Sequence, residues 1–237
     1  MAWRLLGLLL LGACATAPPT DGAATAELSA YELRLQQIDE ARQAALAIGD
    51  QYVQHSWTGG PENAFHGLDA TNNQIDTPDD LNMPEHGWSV SGDENLGVPY
   101  KWGGFSSLQQ FDQGIADGKL AGHIPTRGKS AATLKAVGVD CSGFVSRCWQ
   151  LRGKRSTRSL PKICIELESY DQLQPGDALN VVNRHVMLFV EFENNDKSRL
   201  KVVEATAGKG KVHYSSYARD VLIKNGYRPL RYQNFVP

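Results

Sequence analysis

The sequence predicts an α+β fold, with N-terminal helices and one short central helix packed on a C-terminal antiparallel β-sheet. Three observations carry this. Between Glu27 and Trp57, apolar residues recur at three- and four-residue steps, as one face of a helix requires. From Ala178 onward the pattern changes to β-branched and aromatic runs, separated by the turn clusters Asn194-Asn195-Asp196 and Gly208-Lys209-Gly210. Between these regions Asp140-Cys141-Ser142-Gly143-Phe144-Val145 reads as a capping residue and the first turns of a helix. Helices followed by strands favour segregated layers over an alternating βαβ plan.

In chain order, residues 1–13 place one arginine before an apolar run, Leu5 to Leu11, and the small residues Gly12-Ala13. That is the composition of a secretory signal, and it is too short to cross a bilayer, which takes about 20 apolar residues. Leu11-Gly12-Ala13-Cys14 resembles the bacterial lipobox, which implies lipidation at Cys14 and attachment to the membrane by lipid alone; an ordinary signal cut near Ala15 or Ala17 is the alternative. Residues 14–25 are small and proline-bearing and read as a tether. Residues 26–97 form an N-terminal helix and an irregular accessory segment, and 98–237 the main domain.

In the first helix Leu28, Tyr31, Leu35, Ile38, Ala45, Ile48 and Tyr52 mark the core-facing stripe. Ser29 and Glu32 are spaced as a capping box, and Gly49-Asp50 is a candidate break. Residues 58–98 are turn chemistry throughout, without periodicity, and are expected to be functional or wrapped over the surface. A short helix is expected near Leu108–Ile115, a helix capped by Asp140 and running to about Gln150, and strands at Ala178–Val182, His185–Phe192, Leu200–Ala205, Lys211–Tyr214 and Arg228–Phe235.

A net charge of −2 and a pI near 6.3 give no basic footprint for nucleic acid, so none is expected as a partner. No cofactor is expected: no glycine-rich phosphate loop is present, and no two pairs of Cys, His, Asp or Glu stand at zinc-ligand spacing, so no metal site is expected either. Cys148 and Cys164 can be a disulfide or two free thiols, and sequence does not decide between them.

Chemistry concentrates in two places. A thiol with an ordinary pKa of about 8.5 is mostly protonated at neutral pH and attacks carbonyls poorly. At Cys141 the start of a helix offers unpaired N–H groups and partial positive charge, which favour thiolate. His185 opens an apolar strand and can hold the proton and return it. His55, His66, His86, His123 and His213 read as ordinary core or edge residues.

Three segments together resemble the NlpC family of bacterial cell-wall cysteine peptidases, compact relatives of papain: Pro99-Tyr100-Lys101-Trp102-Gly103-Gly104, Asp140-Cys141-Ser142-Gly143-Phe144-Val145, and Pro175-Gly176-Asp177 followed by His185-Val186. The resemblance covers about Val98 to Tyr217. It implies a papain-like domain, Cys141 as nucleophile, His185 as base and acid, and a polar group on the following strand to hold the imidazole. Glu204 occupies that place, where many members carry His; Asp177 and Asn183 are the other candidates. It further implies that Tyr100 lies beside the thiol and that Asp140 and Ser142 receive the amino terminus of a stem peptide. The implied activity is hydrolysis of amide bonds in peptidoglycan stem peptides, between γ-D-glutamate and diaminopimelate. The lipobox resemblance, with Ala15 following Cys14, implies a protein exported and lipid-anchored to the cell envelope, at the outer membrane and facing the periplasm. The alternative is a catalytically weak or inactive lipid-anchored wall-binding scaffold, suggested by the unusual third member and the long stretch 105–139.

Overall fold

The computed structural model describes residues 21–70, 72–79, 86–124 and 133–237, with side chains from Ser29 onward. The signal segment, Cys14 and most of the expected tether lie outside them. Helix α1 (Asp21–Gln54) is followed by four short strands, β1 (Ser56–Thr58), β2 (His66–Leu68), β3 (Gln74–Asp76) and β4 (Glu94–Leu96). Then come α2 (Leu108–Ala116), β5 (Leu120–Ala121), β6 (Ala136–Val137) and α3 (Cys141–Cys148). The C-terminal part is β7 (Cys164–Glu166), β8 (Ala178–Val181), β9 (His185–Phe192), β10 (Arg199–Thr206), β11 (Lys211–Ala218), α4 (Arg219–Lys224) and β12 (Arg228–Tyr232).

The fold is mixed helix and sheet. Strands β11-β10-β9-β8-β12-β7 form one antiparallel sheet in that order. Alternation gives the sheet two faces. Val186, Leu188, Val203 and Ala205 pack with Phe144 and Val145 of α3, while Leu179, Met187, Leu200 and Val202 pack with Tyr170 and with Leu222 of α4.

Helix α1 departs from expectation in three ways, each with a physical cause. It already includes Asp21–Thr25 of the expected tether, so Ser29 and Glu32 lie inside it and cap nothing. Tyr31 and Leu35 are exposed, because the surface that α1 covers begins only at Ile38, followed by Ala45 and Tyr52. Gly49 does not break the helix. A Cβ there would lie 3.3 Å from Val203 Cγ1 and 3.7 Å from Phe144 Cζ, so the missing side chain lets α1 approach the sheet and α3.

The segment 58–98 is not merely wrapped over the surface. Its strands pair β1 with β4 and β2 with β3, and it contributes Trp88 and Ile75 to the interior. Trp57 stacks obliquely on Trp88 at 5.2 Å and meets Phe111 of α2 edge-on at 5.1 Å. The described part of 105–139 is therefore built into the same core, which also holds Tyr100, Cys141 and Phe144. Strand β11 runs past the expected end at Tyr214, β7 and α4 were not anticipated, and β12 stops at Tyr232 before a 3₁₀ turn that includes Phe235.

Candidate functional site: a thiol–imidazole–carboxylate array

Helix α3 begins where it does because Asp140 caps it. Asp140 Oδ1 accepts from the Gly143 N–H at 2.7 Å and from the Ser142 hydroxyl at 3.0 Å. The neighbouring turn docks by close backbone approach. Gly103, at φ +74°, donates its N–H to Asp140 Oδ2 at 3.1 Å, and the Gly104 carbonyl would lie 1.9 Å from a Cβ at Gly143. Only glycine at 143 permits that contact, so the turn after Tyr100 and the first turn of α3 are fitted to each other. Cys141 is the first helical residue and is 9% exposed. First-turn N–H groups have no acceptor within their own helix, so those beside Cys141 are available to stabilise negative charge there.

His185, at the start of β9, faces Glu204, its Nε2 2.6 Å from Oε2, and lies within electrostatic reach of Cys141. Burial alone would depress the imidazole's pKa; its interactions with Cys141 and Glu204 outweigh burial and take it up to about 9. Glu204 is 1% exposed. Burial opposes its charge, yet the bonds from His185, Ser215 and Tyr217 hold it below the usual carboxylate range. The Tyr217 hydroxyl donates to its Oε1 at 2.7 Å, and the Tyr227 ring stands perpendicular to His185 at 6.4 Å.

The structure thus brings Cys141, His185 and Glu204 together. Asp177 and Asn183 are not the third member. Asp177 is fully buried between Arg42 (2.9 Å) and Arg231 (2.8 Å), where it ties α1 to β12, and Asn183 Oδ1 accepts from Arg158 at 3.1 Å. Tyr100 is buried near Cys141 and Asp140; burial and those two groups raise its pKa and keep it a neutral phenol. Asp140 and Ser142 lie at the site, but both are engaged internally, and the Lys154 ammonium also binds Asp140 Oδ2.

Sequence reasoning missed Ser215, Tyr217 and Lys154. The first two were legible as the polar alternation His213-Ser215-Tyr217, had the strand been extended past Tyr214. Lys154 left no local signal. Cys148 and Cys164 are free thiols, the former pushed up by burial and the latter by burial and Asp177 to about 12. Among the described residues no three His, Cys, Asp or Glu gather to hold a metal, and no helix is long and apolar enough to cross a membrane. Volume does not mark the site: cavities of about 670 Å³, lined by Tyr170, Arg219 and Tyr227, and of about 640 Å³, lined by Phe65, Leu68, Ile75 and Leu134, include neither Cys141 nor His185. No protein-family model, curated protein or solved structure matches the chain.

Proposed function

We propose that the protein is a papain-like cysteine endopeptidase that hydrolyses amide bonds in peptidoglycan stem peptides, acting from a lipid anchor at Cys14. The observation that supports the reading is an imidazole hydrogen-bonded to a buried carboxylate and within electrostatic reach of a thiol at a helix start. Such an array supports a complete acyl-transfer cycle. Cys141 Sγ attacks the carbonyl carbon, and the oxyanion takes hydrogen bonds from N–H groups at the start of α3. The C–N bond breaks as His185 gives its proton to the departing amine, leaving a thioester. Water then attacks with His185 as base, the C–S bond breaks and the thiolate returns. Glu204 holds the ring and stabilises its charged form. A positioned acid–base group of this kind contributes roughly 10²–10⁴ in rate. The choice of stem peptide, and of the γ-D-glutamyl–diaminopimelate bond, rests on the motif resemblance.

Purified wall digested with wild-type protein and with Cys141→Ala, with products weighed, tests the reading. Wild type is expected to release peptide fragments and the variant none while keeping its melting temperature. Release by Cys141→Ala sinks the assignment. The second reading, a weak or inactive wall-binding scaffold, is favoured by one observation: Lys154 already occupies the carboxylate that the resemblance assigns to a substrate amine. A thiol reagent near pH 6 separates the two. Fast, selective modification of Cys141 marks an enzyme and slow modification a scaffold.

A further inference from the structure

From Cys141 to Ile165 the chain contains no Asp or Glu but six cations: Arg147, Arg152, Lys154, Arg155, Arg158 and Lys162. Among the described residues only Lys154 of these meets a carboxylate, at Asp140. In a chain of net charge −2 this is a strong local excess. Its path places it at the site. After α3 the chain doubles back along the helix, where the Arg155 N–H donates to Ser146 Oγ at 3.0 Å, and it is tied down at both halves of the array. At one end Lys154 binds Asp140, the residue before the thiol. At the other, the Thr157 carbonyl accepts from Asn180, Thr157 Oγ1 accepts from the Asn183 N–H, and Arg158 donates to Asn183 Oδ1, two residues before His185.

The two carboxylates beside the array are both committed. Oδ1 of Asp140 accepts from Gly143 N–H and Ser142, and Oδ2 accepts from Gly103 N–H and Lys154, which fills its acceptor positions. Glu204 is held by His185 and Tyr217. A cationic substrate end therefore finds both carboxylates already taken, while Arg155 and Arg158, exposed on the strap between these two anchors, meet no carboxylate among the described residues and suit carboxylate geometry.

We propose that the strap from Lys154 to Arg158 sets substrate choice, selecting chains that carry a carboxylate beside the scissile amide and disfavouring those that present a free amino terminus to Asp140. This rests on the reading of Cys141 as a nucleophile, and the test separates the two.

Alkylation of Cys141 by iodoacetate and by iodoacetamide, followed by peptide mass mapping, compares an anion with a neutral reagent of nearly the same size. Relative to glutathione, the iodoacetate-to-iodoacetamide rate ratio is expected to be raised roughly threefold or more at low salt and to fall toward the glutathione value in 0.5 M NaCl, where screening is short-ranged. Arg155→Gln/Arg158→Gln, at exposed positions, and separately Lys154→Gln, are expected to lower it. A ratio at or below that of glutathione, or one unchanged in both variants, overturns the proposal. In parallel, peptides differing only in a carboxylate or carboxamide next to the cut amide, and in a free or acetylated amino terminus, are digested. Preference for the carboxylate and tolerance of the acetyl group support the strap's role; preference for the free amine overturns it. If neither peptide is cut, the hydrolase reading fails, and the alkylation ratio still judges the strap.

Discussion

Glu204 Oε2 lies 2.6 Å from His185 Nε2, and the carboxylate's other oxygen accepts the Tyr217 hydroxyl at 2.7 Å. Glu204 is thus a buried anion paired with an imidazole. That pairing sets the electrostatics, because a carboxylate stabilises the protonated ring more strongly than a neutral partner does.

Glu204→Gln keeps the shape and removes the charge. It is expected to lower kcat/KM by about 10- to 100-fold, about 1.4–2.7 kcal/mol of transition-state stabilisation. The alkaline limb of the pH profile, set by loss of the His185 proton near pH 9 in the wild type, is expected to move to lower pH. A profile identical to wild type would remove Glu204 from the array.

Stability is expected to depend on pH through the same ring. His185 is raised from 6.5 to about 9 on folding. A group whose folded pKa lies above its unfolded value stabilises fully below the unfolded value, here about 6.5, and loses that contribution as pH rises through about 9. The loss is on the order of 3 kcal/mol, taken from the size of that shift. Urea midpoints between pH 6 and 10, compared with those of His185→Gln, measure it; parallel curves for the two proteins would refute it.

Gly143→Ala places a Cβ 1.9 Å from the Gly104 carbonyl, and neither backbone can yield without moving the start of α3. A destabilisation of about 2–4 kcal/mol is expected, together with slower modification of Cys141. Gly153→Ala, facing open space, is the control and is expected to stay within about 0.5 kcal/mol. Thermal or denaturant melts read both.

Asp177→Asn tests the separation of scaffold from chemistry. It leaves Arg42 and Arg231 without their buried counter-charge, at an expected cost of about 3–5 kcal/mol. Activity per folded molecule is expected to persist, because Asp177 touches neither Cys141 nor His185 in the array. Loss of turnover in fully folded protein would return Asp177 to the catalytic candidates.

Much of this was readable where the signal is local. The run His185–Phe192 coincides with β9 because a continuous apolar run, buried on both faces and bounded by turns, declares itself in its own residues. The cap at Asp140 needs only the next few residues, and α2 ends within one residue of expectation. The stripe of α1 was misjudged at Tyr31 and Leu35, because periodicity shows which face a helix can bury but not where its partner begins. Strand β11 runs beyond the expected end at Tyr214 because its pairing with β10 continues to Ala218 opposite Arg199, a register that no local pattern shows.

The chain's own order of residues determined that a thiol would begin a helix, that an imidazole would open a strand, and that helices would precede a sheet. Those are consequences of capping, alternation and turn chemistry, which act over a few residues. That Glu204 rather than Asp177 or Asn183 reaches the imidazole, that Tyr217 supports it, and that Lys154 folds back onto Asp140 is visible in the folded chain alone. Those meetings join residues far apart in the chain and depend on strand register and on how closely glycines let backbones approach, which only the folded chain fixes.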